Sequence, residues 1–192
     1  MRYCPYFCEE NIWHLAQDDV VKDGERVISH DDRRVVFVSN ENRAVPMDHQ
    51  KAGQGSVVVW DYHVVLFALA RSGWQCWDLD HDKGAPRDVA AWLKDSFLIG
   101  PALEAYRQLT RQDFEAPRFR VIAAPELVDE LASDRSHMID GKGRRAQPFP
   151  DWPAIGQAHD DKHNLMRFVD TRAAWHGEVM SYDELRLHYG MK

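Results

Sequence analysis

Residues 56–80, SVVVWDYHVVLFALARSGWQCWDLD, decide the fold. Ser56 to Ala70 is too long for one ordinary strand, yet it has strand composition throughout. It therefore reads as a strand with a bulge, or as two strands meeting at a bend. Arg71-Ser72-Gly73 supplies a turn and Trp74 to Asp80 returns, which predicts a β-hairpin. A turn centred near Ala70 to Gly73 sets Asp78 opposite about Leu66, within a few residues of His63 on the paired strand. Period-two alternation puts Cys76, Asp78 and Asp80 on one face, so spacing alone leaves either acid free to orient the imidazole.

Upstream of the hairpin, Cys8, Ile12, Leu15 and Ala16 follow the i, i+4, i+7, i+8 spacing of one helix face. Cys8 is thus predicted to start a helix running to about Gln17 and to point inward. Residues 31–39 (DDRRVVFVS) read as a turn entering a strand, and 39–55 as a long exposed connection. Downstream, residues 86–111 predict a helix starting on Pro86, a break at Gly100-Pro101 and a second helix. A strand is expected at 119–124, a short helix at 126–132, an irregular crossing at 141–156, and helices near 164–168 and 181–189. The chain shows no internal repeat. The pattern is α+β, a mainly antiparallel sheet with packed helices in a single domain spanning 1–192.

A chain of 192 residues can bury one sizeable core. Its net charge of -7 argues against binding to phosphate backbones, so nucleic acid is not an expected partner. No stretch approaches the roughly 18 apolar residues of a membrane span, and MRYCPYFCEEN lacks the apolar region of a signal peptide. A cytoplasmic protein is expected, and the absence of an oligomerisation motif predicts a monomer. The cysteines Cys4, Cys8 and Cys76 are too few and too scattered for a disulfide framework and read as thiols.

A thiol is a useful nucleophile only as thiolate, and the unpaired N–H groups at a helix start favour that charge. Cys8 has this position. Glu9 and Glu10, rotated by roughly 100° and 200° around the helix, are expected to point away from it. The hairpin supplies a base in His63. Each residue has an ordinary alternative, a packed cysteine, a hydrogen-bonded histidine, a turn aspartate. Cys4, Cys8, His14, His63 and His81 include zinc-ligand types, but no second Cys/His pair completes a site. Neither a metal nor another cofactor is predicted.

Several segments carry a resemblance: CEENIW at 8–13, VSNE at 38–41, VWDYHVVL at 59–66, DLD at 78–80, FRVI at 119–122, ASDRSHM at 132–138 and KHNLMRF at 162–168. In this order they resemble the protein N-terminal glutamine amidohydrolase family, from Tyr3 to the YG at 189–190. The resemblance implies Cys8 as nucleophile, His63 as base and Asp78 as the assisting acid. It also implies a transglutaminase- or papain-like core and a reaction that converts N-terminal glutamine of proteins or peptides to glutamate, an entry step of N-terminal degradation signalling. The chain departs from the family in its loop at 41–56 and in the short segment before Cys8, where eukaryotic members carry a longer extension.

Choosing N-terminal over internal glutamine requires reading a free α-amine, a cation suited to a carboxylate. Glu10 and Asp134 are the candidates for that contact. Trp60 and Tyr62, flanking the catalytic strand, are the candidates for pocket walls.

Overall fold

The computed structural model describes residues 1–157 and 160–190. In chain order the elements are α1 (Cys8–Ala16), β1 (Lys22–Asp23), β2 (Arg26–Val27), β3 (Arg33–Ser39), β4 (Val45–Met47), β5 (Val58–Trp60), β6 (His63–Ala70), β7 (Gly73–Trp77), β8 (Arg87–Asp88), α2 (Val89–Ser96), α3 (Pro101–Thr110), β9 (Arg118–Ala123), α4 (Ala124–Glu130), α5 (Leu165–Val169), β10 (Glu178–Ser181) and α6 (Tyr182–Tyr189). Six strands form one antiparallel sheet in the order β10-β9-β3-β6-β7-β8; β1 with β2 and β4 with β5 form separate ribbons.

The period of two in the central strands divides the core into two layers. Val35 and Phe37 of β3 join Val64, Leu66 and Ala68 of β6 on one face, under Ile12 and Leu15 of α1, Leu127 of α4 and Phe168 of α5. Val36, Val38, Val65 and Phe67 turn to the other face, against Val89, Trp92 and Leu93 of α2 and Leu185 and Tyr189 of α6. A side chain such as Phe67 or Leu15, fully buried, contributes about 1.5–3 kcal/mol of hydrophobic stabilisation. Because both faces are apolar, polarity inside β3 does not set its register, and its ends matter more.

One such end is Arg33. It is buried, and Nη1 donates to the carbonyls of Ala16 at 2.8 Å and Asp18 at 3.0 Å, satisfying groups that the end of α1 leaves unpaired. Its Nη2 and Nε donate to the Ile28 carbonyl. A slip of β3 would strip α1 of this anchor, so the central strand and the Cys8 helix are positioned together. Arg120 of β9 does the same for the chain after α5, donating to the carbonyls of Phe168, Asp170, Ala173 and His176.

The expected hairpin is present, and its long first arm is two strands meeting at a bend, β5 and β6 on either side of Asp61-Tyr62. The Ser39 hydroxyl donates to the Asp61 carbonyl and holds that bend. Ala70 pairs with Gly73 across a two-residue loop, and Gly73 has a φ of 116°, a region that a side chain would strain. Leu66 then pairs with Trp77, which corrects the expected register by one residue.

Other expectations shift in detail. Residues 39–55 are not simply an exposed connection: β4 is buried within them, and so is Gln50. The helix expected on Pro86 starts at Val89, because the Asp88 carboxylate accepts the N–H groups of Ala90 and Ala91 and caps it there. Pro101 opens α3 as anticipated, and Ser181 with Glu184 forms a capping box on α6. The edge strand β10 had no distinct sequence signal.

Candidate active site

Cys8 sits at the first turn of α1, 8% exposed. The preceding turn is fixed by Asn11, whose side chain accepts from the Cys4 N–H and donates to the Cys4 carbonyl, both at 2.8 Å. All three cysteines are free thiols. Burial pushes the Cys8 thiol well above its ordinary value, and the charges of Glu9 and Asp80 push the same way. The expectation that Glu9 points away from Cys8 is corrected. Its Oε2 lies 3.8 Å from Sγ and accepts the Tyr62 hydroxyl at 3.0 Å, because Tyr62 reaches under the helix start from the β5–β6 bend.

His63 opens β6, and its Nε2 bonds Asp78 Oδ1 at 2.8 Å with both side chains almost wholly buried. The same oxygen accepts the Asp80 N–H, while Oδ2 accepts Trp92 Nε1 at 3.1 Å and Gln50 Nε2 at 3.2 Å. Burial alone would raise the Asp78 carboxyl, but the His63 ring and these donors hold it well below the usual range. For His63 the balance runs the other way. Burial would lower it, yet the charge and hydrogen bond of Asp78 keep it above its ordinary value. Of the two acids on this face, Asp78 is the one bonded to the ring.

Cys8 and His63 border one cavity of about 430 Å³. Trp60 and Tyr62 line it as walls, with the Trp60 ring stacked on His63 at 6.0 Å and Tyr6 edge-on to Trp60. Asp61 with Arg43, Asp80, His137, Met138 and Met166 complete the lining. Among the described residues, the one group of three metal-ligand types within reach of one another is His63, Asp78 and Asp80, within 4.8 Å. Cys4, Cys8, His14, His63 and His81 do not come together as such a group. No helix among the described residues is long and apolar enough to cross a membrane.

Glu10 and Asp134 are not among the cavity's lining residues. Glu10 is fully buried on the other side of α1, its oxygens taken by Arg135 and by Trp152 Nε1. Asp134 accepts the Ser136 N–H at 2.8 Å and pairs with His163 at 3.1 Å. The structure thus gives both carboxylates protein partners and does not bring either to the cavity. Together they hold the 135–138 turn that brings His137 and Met138 to the cavity. Sequence reasoning passed over Gln50 and Trp92 as partners of Asp78, and neither stands in a pattern that marks it. His137 lies inside the ASDRSHM segment, so a signal for it was present.

Fold and site define an α+β protein in which a helix-borne thiol and a histidine bonded to a buried aspartate border the same cavity. The chain belongs to the N-terminal glutamine amidase family, whose model matches residues 3–189. It is similar to the protein N-terminal glutamine amidohydrolase of Homo sapiens, 34% identical over 99% of this chain and 88% of that protein. It is likewise similar to that of Bos taurus, 35% identical over 95% and 84%, and that of Arabidopsis thaliana, 33% identical over 88% and 74%.

Proposed function

We propose that this chain hydrolyses the side-chain amide of a glutamine at the N-terminus of a protein or peptide, with Cys8 as nucleophile, His63 as its base and Asp78 as orienting acid. The observation that carries the reading is the common cavity of Cys8 and His63, with the His63 Nε2 committed to Asp78. That commitment leaves Nδ1 as the ring nitrogen for the thiol proton. It also supports placing the core in the transglutaminase- and papain-like class, where a helix-borne cysteine meets a strand-borne histidine.

In the cycle His63 takes the proton from Cys8 and the sulfur attacks the δ-carbon of the amide. The helix-start N–H groups, that of Cys8 among them, are suited to hold the negative oxygen. The C–N bond breaks as His63 returns the proton to the departing ammonia, leaving a thioester. Water, deprotonated by the same ring, attacks the thioester; the C–S bond breaks, and glutamate and the thiol are released. By family, this reaction feeds N-terminal degradation signalling. We read the protein as a cytoplasmic monomer in a single domain, working without metal or cofactor. Its net charge of -7 supports protein chains rather than nucleic acid as partners.

The test is incubation with peptides starting in Gln, Asn or acetyl-Gln, followed by mass spectrometry and ammonia release. Conversion is expected for free Gln alone. Acetyl-Gln reacting as fast as free Gln would sink the N-terminal specificity. A second assay adds a primary amine, where cross-linked product in place of glutamate would point to a transglutaminase-like transferase.

A further inference from the structure

The proposed reaction leaves one requirement without a residue, a group that distinguishes a glutamine bearing a free α-amine from one inside a chain. Four carboxylates lie at or near Cys8, and three are already engaged or shut in. Glu10 is buried against Arg135 and Trp152. Glu9 has no exposed surface and is held by Tyr62. Asp61 lines the cavity, but it pairs with Arg43 at 3.0 Å and accepts the Tyr62 N–H with its other oxygen. The fourth, Asp80, lines the cavity beside Cys8 and His63, and no basic side chain among the described residues pairs with it. Its Oδ1 accepts the Tyr3 hydroxyl at 2.6 Å, which fixes the carboxylate in place without neutralising it.

We infer, on the amidase reading above, that Asp80 receives the substrate's α-ammonium and is the residue that sets specificity for a free N-terminus. The reach fits. In glutamine the α-nitrogen is four bonds from the δ-carbon, roughly 5 Å when extended. A carboxylate oxygen of Asp80 lies within 4.8 Å of a ring nitrogen of His63. Because Asp80 borders the same cavity, an amide carbon held between Cys8 and His63 has its α-nitrogen within reach of that carboxylate. Asparagine, one methylene shorter, cannot hold both ends at once. The same contact serves the nucleophile. Asp80 is one of the charges that hold the Cys8 thiol up, and a cation docked on it offsets that field.

The experiment compares two peptides that differ only at the first residue, one starting with glutamine and one with its des-amino analogue, the monoamide of glutaric acid. The wild-type protein should prefer the free amine by about 10- to 150-fold in kcat/KM, the range of a hydrogen bond to a charged group. Asp80→Asn should bring that ratio close to one, mostly through the free-amine substrate. A folded Asp80→Asn protein that keeps the full ratio overturns the inference. If Asp80→Asn does not fold, Asp61→Asn decides, since Asp61 is the other accessible carboxylate of the cavity: a retained ratio supports Asp80 and a collapsed ratio overturns it. Failure of the wild-type protein to convert either peptide would instead defeat the amidase reading. Conversion of both at equal rates would defeat only the assignment of Asp80.

Discussion

Glu10 on α1 and Arg135, 125 residues later, form a two-pronged ion pair, Nε to Oε1 and Nη2 to Oε2, each at 2.7 Å. Neither partner is more than 8% exposed. The pair ties the turn that carries His137 and Met138 to the helix that carries Cys8, and so registers the cavity's two sides to each other.

Removing one partner of a buried pair leaves a charge stranded, at a cost of about 3–5 kcal/mol. Arg135→Ala is therefore expected to lower the unfolding free energy read from urea titration by an amount of that order, because Glu10 keeps only Trp152. Replacing both together, Glu10→Gln with Arg135→Met, should cost less than Arg135→Ala alone. A loss in the double variant as large as in Arg135→Ala or larger would show that the stranded Glu10 charge is not what the single replacement costs.

Cys8→Ser replaces sulfur by oxygen in a site that already disfavours the anion, since burial and neighbouring carboxylates raise the group there. Activity on N-terminal glutamine should fall by at least about a thousandfold, as for loss of a nucleophile. The unfolding free energy should stay within about 1 kcal/mol of wild type, because shape and packing are kept. Retention of more than a tenth of the rate would remove Cys8 from the role.

Asp78 accepts four hydrogen bonds, so an amide in its place turns a donor toward Trp92 or Gln50. Asp78→Asn should cost about 1–3 kcal/mol of stability for the group left unpaired. It should also lower activity by about 10³–10⁴ through loss of ring orientation. The sign of the pH effect follows from the pair. Asp78 raises His63, so the stability from that proton is complete below the unfolded value and disappears as pH rises through the folded one. Loss of the carboxylate frees the proton sooner, and the acid limb of kcat/KM should move to lower pH. An unmoved limb would mean that a group other than His63 governs it.

What the sequence made legible was local. The spacing of Cys8, Ile12, Leu15 and Ala16 exposed the helix and its inward thiol, and the alternation through 56–80 exposed the hairpin that carries His63 and Asp78. Both depend on contacts between near neighbours, and both recur in the structure, with the hairpin shifted by one residue. The supports of the site were not legible for the opposite reason. Gln50 reaches Asp78 from a loop 28 residues away, and Arg135 reaches Glu10 across 125, with no period linking either pair. Helix geometry placed Glu9 away from Cys8, but long side chains bend. A tyrosine from the sheet drew the carboxylate back under the thiol.

That carboxylate makes the last prediction. Glu9 has no exposed surface, its Oε1 makes no hydrogen bond, and burial foremost, aided by the charge of Glu10, raises it from 4.5 to about 7. His137 comes within 3.5 Å, but burial and the neighbouring His163 hold that ring down at about 4, so it brings no charge to offset Glu9 at neutral pH. An acid raised on folding binds its proton more tightly in the native state. Its contribution is complete below the unfolded value near 4.5 and is lost as pH climbs toward 7. Glu9→Gln keeps the shape and the acceptor for Tyr62 while deleting the charge, so it should be close to wild type at pH 5 and more stable by roughly 1–3 kcal/mol at pH 8. Urea unfolding of both proteins at the two pH values reads this directly, because slopes from Asp78 and His63 are shared and cancel in the difference. A difference that is the same at pH 5 and pH 8 would show that Glu9 is already ionised at the lower pH.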